Sequence, residues 1–359
     1  MAQSADTLEL ENEDDSSEEV IIKYDITSYP SDFTLDGLLK MWMDNDITIP
    51  DYQREFVWSI KQSSLLIESF LIGLPVPPVF FYIDDTNKNL VVDGQQRLLS
   101  IFYFLEGYFG KENDKGKRQI FRLTGLNKQN PYHNKRFVDL DEKDRRKLKT
   151  SVLRAINIKQ LTPVDESTSV YHIFERLNTG GTPLKPQEIR NCVFRGSFLN
   201  RLRILNENTN WRKILGKKLT DKHQADVELI LRAFGLCFHL GDYEKPMKEF
   251  LSKVSRKYQN ASTGKVSKFA KDFEKTCEII VAEFGDRPFS VRGPLNTSMF
   301  DSIFCTILNN LTRLPKDLGD RYETLLENED FISYTSLGTT DAKVLKDRFG
   351  LVEEILISK

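Results

Sequence analysis

Between residues 33 and 105 the apolar positions alternate between a helical spacing and short continuous runs, the pattern of small helices interleaved with buried strands. Phe33, Leu35, Leu38, Leu39 and Trp42 make one stripe and predict a helix capped by Ser31 or Asp32. "ITIP" predicts a short strand stopped by Pro50. "WSIKQSSLLIESFLIG" predicts a second helix, with Ser59 as N-cap and Gly73 as terminator. "PVPPVFFYI" and "LVVD", separated by the loop "DDTNKN", predict a hairpin. A helix from about Gln95 to Leu105 follows at once, with Leu98, Leu99, Phe102 and Leu105 facing inward. "SVLRAINIKQL" then reads as a strand and "STSVYHIFERL" as a helix, which closes a mixed α/β region near Gly196.

Beyond that point strand signals fade. "FLNRLRILNEN", "ADVELILRAFGLCFHL", "PMKEFLSKVSRKY", "VSKFAKDFEKTCEIIVAEF", "MFDSIFCTILNNL" and "TDAKVLKDRFGLVEEIL" read as helices of a bundle. The expected class is therefore α+β, with a disordered acidic tail over 1–22, a mixed α/β domain over 23–196 and a helical domain over 197–359. The tail reading rests on the first nineteen residues, which lack lysine and arginine and hold too little apolar surface to offset their ordering entropy. Such a segment serves as a solubilising tail, a DNA mimic or an autoinhibitory strap.

Composition narrows the function classes only a little. With 51 basic against 53 acidic residues, net charge gives no general reason to bind nucleic acid, although a local basic groove stays open. Cys192, Cys237, Cys277 and Cys305 form no C-x-x-C pair, which suits reduced thiols and no zinc site. No apolar run reaches membrane-span length, and a soluble, cytoplasmic protein is expected. His133, His172, His223 and His239 show no metal-ligand spacing. The triplets Asp141-Glu142-Lys143 and Asp341-Ala342-Lys343 are the weak acid-x-Lys matches that a charged chain produces by chance, and no P-loop pattern occurs.

Three clusters hold candidate chemistry. In "LVVDGQQRLLS", Asp93 to Arg97 stand at the C-terminal end of a strand beside a helix N-terminus, where free N–H groups favour an anion. Gly94 permits close backbone approach, Arg97 offers two parallel donors to a phosphate, and Gln95 or Gln96 offers to orient a water. Asp93 would repel a bare phosphate unless a divalent cation lies between them. Spacing alone fits equally a structural corner in which Asp93 caps the helix and Arg97 is solvated. "IPDYQREFVW" places Gln53 and Arg54 among apolar anchors, and "FERLNTGGTPLKPQEIRN" sets Asn178, Thr179, Gly180 and Gly181 in a donor-rich turn before Pro186 opens a helix. Each of these also reads as an ordered loop or linker.

The order of "YQR", "DGQQR" and "FERLN", with "LLIESFLIGLPVPPVFF" and "LNTGGTPLKPQEIRN" around them, closely resembles the N-terminal domain of GmrSD-type modification-dependent restriction systems. That family has a ParB/sulfiredoxin-like fold, and the likeness is dense over about residues 35–195. The resemblance implies binding and hydrolysis of a nucleoside triphosphate with Mg2+ in restriction or anti-phage defence. It implies catalytic roles for Asp93, Gln95, Gln96 and Arg97, with Asp93 as metal ligand. Nucleotide binding falls to Gln53, Arg54, Gly94, Arg97, Phe174, Asn178, Thr179, Gly180 and Gly181. Phe174 and Asn178 match the family's F-x-x-x-N motif. DNA, modified or of phage origin, and an effector nuclease or other defence subunit are the implied partners, with the oligomeric state open. Sulfiredoxin chemistry needs a cysteine where this chain has glutamine. No histidine begins an H-x-x-P pattern, so DNA cleavage by this chain alone is not expected. A ParB-like nucleotide- or DNA-binding module without turnover is the competing reading.

Overall fold

The computed structural model describes residues 8–10, 25–49, 56–84, 87–110, 112, 116–162, 173, 176–177, 185–221, 223–260, 264–291 and 293–358. The helix expected in "STSVYHIFERL" falls almost wholly outside them, as does most of the expected acidic tail. The chain divides into two compact units, one of Lys23–Leu184 and one of Met1–Ile22 with Lys185–Lys359. The division comes ahead of the expected boundary at 196 because helix Pro186–Val193 packs with helices Ala225–His239 and Met247–Tyr258. Leu8 and Leu10, inside the expected tail, pack on the core of the helical unit.

The α/β unit contains strands β1 (Asp25–Thr34), β2 (Ile47–Thr48), β3 (Val79–Ile83), β4 (Asn89–Asp93), β5 (Tyr108–Phe109), β6 (Gln119–Ile120) and β7 (Val152–Thr162). Its described helices are α1 (Leu35–Met43), α2 (Ile60–Ile72), α3 (Gln95–Glu106) and α4 (Glu142–Thr150). Five strands form one mixed sheet in the order β1-β7-β3-β4-β2, and β5 pairs with β6. β1 is antiparallel to β7, β7 parallel to β3, β3 antiparallel to β4 and β4 parallel to β2. The expected hairpin is the β3–β4 pair.

The first helix begins later than its apolar stripe suggests. Ser31 and Asp32 lie in β1, and Asp32 receives the Nε–H of Arg154 at 2.9 Å instead of capping a helix. The cap is Thr34, whose hydroxyl accepts the Gly37 N–H at 3.1 Å. β1 gave no sequence signal because it is an edge strand with most side chains exposed. Pro30 reads as a breaker, yet edge strands tolerate proline. α2 has its expected ends: Ser59 and Gln62 form a reciprocal capping box, and Gly73 closes the helix with φ of 85°. Buried Ser63 on α2 meets Ser100 on α3 at 2.8 Å, and Trp42 of α1 stacks on Phe102 of α3.

The six helices expected in the second half form as Ser197–Asn206, Ala225–His239, Met247–Tyr258, Gly264–Phe284, Thr297–Asn309 and Ala342–Leu356. Thr209–Leu215, Leu318–Glu327 and Glu329–Tyr334 were not foreseen. The second of these has a legible stripe, since Leu318, Tyr322 and Leu325 are all buried. Trp211, Phe234, Phe273, Phe300 and Phe304 fill the centre. Both acid-x-Lys triplets prove to be helix starts: Asp141 caps α4 and Asp341 caps Ala342–Leu356. No described helix is long and apolar enough to cross a membrane.

One ion pair lies deep in this unit. Arg232 meets Asp301 with Nη2 to Oδ2 at 2.5 Å and Nε near both carboxylate oxygens, and both side chains are almost fully buried. Removing one partner strands a charge away from water, so Asp301→Ala should cost about 3–5 kcal/mol. Denaturant unfolding of the variant is the check, and a loss below about 1 kcal/mol would contradict the buried pairing.

Candidate functional site

β4 and α3 meet in the corner that carries "DGQQR". Val91 and Val92 are fully buried in β4, and Leu98 and Phe102 are fully buried on α3, so the apolar pattern fixes both elements. The chain turns between them at Gly94, which is itself the N-cap with φ of 97° and no side-chain cap. Its carbonyl accepts the first helical bond, from the Leu98 N–H at 2.9 Å. A Cβ at this position would lie 2.3 Å from Val79 Cγ1 and 3.2 Å from Arg97 Nη2. Only glycine satisfies both the left-handed backbone and this close approach to β3.

Asp93 therefore does not cap α3. Its Oδ2 accepts from Arg97 Nη2 at 2.7 Å, a pair four residues apart across the corner. The same Nη2 donates to the Pro78 carbonyl at 3.1 Å, which ties α3 to the residue entering β3. Arg97 is held rather than solvated, with its side chain 18% exposed against 43% for Asp93. Its Nε is buried and meets no acceptor among the described residues. A buried guanidinium donor without a partner is costly, and an anionic ligand oxygen would satisfy it.

The two glutamines are not equivalent. Gln96 Oε1 accepts the Val57 N–H at 3.0 Å and the Trp58 N–H at 3.2 Å. That bond fastens the chain just after "YQREF" to the start of α3, so the Gln96 carbonyl is committed to positioning rather than to a water. The Gln96 backbone carbonyl also accepts from Ser100 Oγ at 2.7 Å, which continues to Ser63 on α2. Gln95 lies in the first turn of α3 and is engaged by a polar contact of its own.

The corner thus brings together Asp93, Gly94, Gln95, Gln96 and Arg97. Gln53, Arg54, Phe174, Asn178, Thr179, Gly180 and Gly181 lie outside the described residues. Among the described residues no three acidic, histidine or cysteine side chains gather into a metal group. Phosphate-bridged Mg2+ needs few protein ligands, so one aspartate at this corner suffices. Two of the histidines are engaged elsewhere: His239 lies 2.9 Å from both Asp242 and Tyr258, and His223 lies 3.3 Å from Glu188. Cys277 and Cys305 are buried free thiols whose pKa values are pushed up by desolvation, which suits packing rather than reactivity.

Residues with a role that spacing did not reveal follow the "NTGGT" sequence. Helix Pro186–Val193 buries Gln187, Arg190 and Asn191, three polar side chains on one face. Arg190 donates to Gln187 Oε1 at 3.1 Å, Glu228 Oε2 at 2.9 Å and the Lys248 carbonyl at 3.2 Å. A polar stripe normally reads as a solvated face, and only its neighbours on two later helices reveal it as interior.

The strand–Asp–Gly–helix corner on a mixed sheet defines a mixed α/β domain with a glycine-turned helix start. Residues 37–195 match the family model for the GmrSD restriction endonuclease, N-terminal domain. No curated protein matches the chain significantly.

Gly94→Ala should destabilise the α/β unit by at least about 1–2 kcal/mol, from the left-handed backbone alone. Val79→Ala in the same chain should recover part of the loss, because it removes the clashing methyl groups. Urea unfolding of the two single variants and the double variant measures both effects, and additive losses would disprove the clash.

Proposed function

We propose that the Asp93–Arg97 corner binds the phosphates of a nucleoside triphosphate with Mg2+, and that the chain hydrolyses it as a component of a DNA-restriction or anti-phage defence system. The observation that carries this reading is the unpartnered, buried Nε of Arg97 beside the Gly94 turn and the N-terminus of α3. The family match over residues 37–195 supports the restriction setting. Arg97 would hold phosphate charge, and the exposed side of Asp93 would hold the cation, which supplies charge neutralisation for phosphoryl transfer. Gln95 or Gln96 would orient the attacking water in this reading, although Gln96 Oε1 also accepts from Val57 and Trp58. Gln53, Arg54, Phe174, Asn178, Thr179, Gly180 and Gly181 complete the pocket in this reading. DNA and an effector subunit are the partners it implies, with a cytoplasmic setting.

One observation favours a second reading, a module that binds nucleotide or DNA without turnover. A glutamine engaged in holding backbone suits binding more than hydrolysis. Turnover separates the two. Purified chain incubated with each of the four triphosphates, with and without DNA, should release phosphate only with magnesium present. Arg97→Ala should lower release at least about a hundredfold while circular dichroism stays unchanged. Tight nucleotide binding without release would select the second reading, and neither binding nor release would remove both.

A further inference from the structure

The helical unit carries a second binding feature, unrelated to the nucleotide corner. Asp221 is a buried aspartate whose Oδ1 accepts the N–H groups of His223 at 2.8 Å and Ala225 at 3.1 Å. Its Oδ2 accepts a third backbone donor from far away in sequence, the Leu8 N–H at 2.7 Å. Two residues on, Leu10 forms a parallel bridge with Leu295, and the Leu295 N–H donates to the Glu9 carbonyl at 3.2 Å. Leu8 is buried, Glu9 is exposed and Leu10 is partly buried against the same core. This is the alternation of an extended strand laid on a surface, with side chains two apart facing one way.

The recognition chemistry needs little sequence. A carboxylate captures one backbone N–H, one backbone pair fixes direction, and two apolar side chains two residues apart supply burial. These are the elements of peptide capture by strand addition. If the segment lifts away, Asp221 Oδ2 loses a backbone donor, and an equivalent strand would restore it. The neighbouring sequence is mostly acidic and polar, with little apolar surface to bury beside Leu8 and Leu10.

We propose that the surface formed by Asp221 and Leu295 is an exchangeable docking site for an extended peptide of Leu-x-Leu pattern, masked in this chain by its own residues 8–10. A chain of contacts leads inward from it. Asp221 holds the His223 backbone, the His223 ring lies 3.3 Å from Glu188 Oε1, and Glu188 Oε2 accepts the Lys185 N–H that begins helix Pro186–Val193. Occupancy of the peptide site therefore bears on the start of helix Pro186–Val193.

The test uses the chain lacking residues 2–11 and a fluorescent synthetic peptide of residues 1–15. Anisotropy should show saturable binding in trans, and Leu8→Asp with Leu10→Asp in the peptide should weaken it at least about tenfold. No saturable binding by folded truncated chain, or equal binding of both peptides, overturns the proposal. Full-length chain carrying Leu8→Asp and Leu10→Asp gives a check that does not need the truncation. Amide hydrogen exchange at Leu295 should accelerate while the Thr297–Asn309 core amides keep their protection, and unchanged exchange at Leu295 again overturns it. Nucleotide turnover plays no part in either measurement.

Discussion

The α/β unit is organised around a contact that leaves no room for an atom. Gly94 approaches Val79 so closely that a Cβ would overlap its side chain, and the backbone there is left-handed. Both facts follow from joining a buried strand to a buried helix in a single residue. With Val92 and Leu98 each fully buried, α3 cannot shift outward to relieve the approach. The close approach in turn sets the reach of Arg97, whose guanidinium lands on the Pro78 carbonyl just before β3 and on Asp93 at the end of β4. A site built this way is rigid, because its geometry is inherited from the sheet rather than from a loop.

The polar residues of the corner divide into those that hold the protein together and those left over. Gln96 secures Val57 and Trp58 through its side chain, while its carbonyl meets Ser100, which touches Ser63. One residue thus links the segment after "YQREF" to two helices, and it does so near the motif that the family resemblance groups with "DGQQR". Arg97 is partly consumed in the same way, since one nitrogen serves Asp93 and Pro78. Left without a partner among the described residues is Nε of Arg97, while part of Asp93 stays exposed.

Much of this was legible in the chain, for reasons that differ by element. α2 was readable end to end because Ser59 and Gly73 have strong local preferences that tertiary structure did not override. β3, β4 and α3 were readable because full burial writes a dense apolar code. β1 was not, because an edge strand with exposed faces carries little hydrophobic signal, and Asp32 looked like a cap when its partner Arg154 lies 122 residues away. The corner residues were identifiable as a group, but their division of labour was not. That Asp93 pairs with Arg97 instead of capping α3 depends on the position of Pro78, which no local window contains. The docking of Leu8 and Leu10 was hidden by the acidic composition around them.

The limits of the family match also have a physical meaning. It begins at residue 37, after β1, and ends at 195, beyond the division at Leu184. Without β1, the long strand β7 would expose a full edge, since β1 pairs with it from end to end. At the other end, helix Pro186–Val193 buries Arg190, whose acceptors Glu228 and the Lys248 carbonyl stand outside the match. A buried guanidinium separated from those acceptors would be an uncompensated charge. The recurring sequence of the family is therefore smaller than the smallest piece of this chain with closed edges and paired charges. The matched part holds the Asp93–Arg97 corner and its neighbours, while β1 and the acceptors of Arg190 lie outside it in sequence.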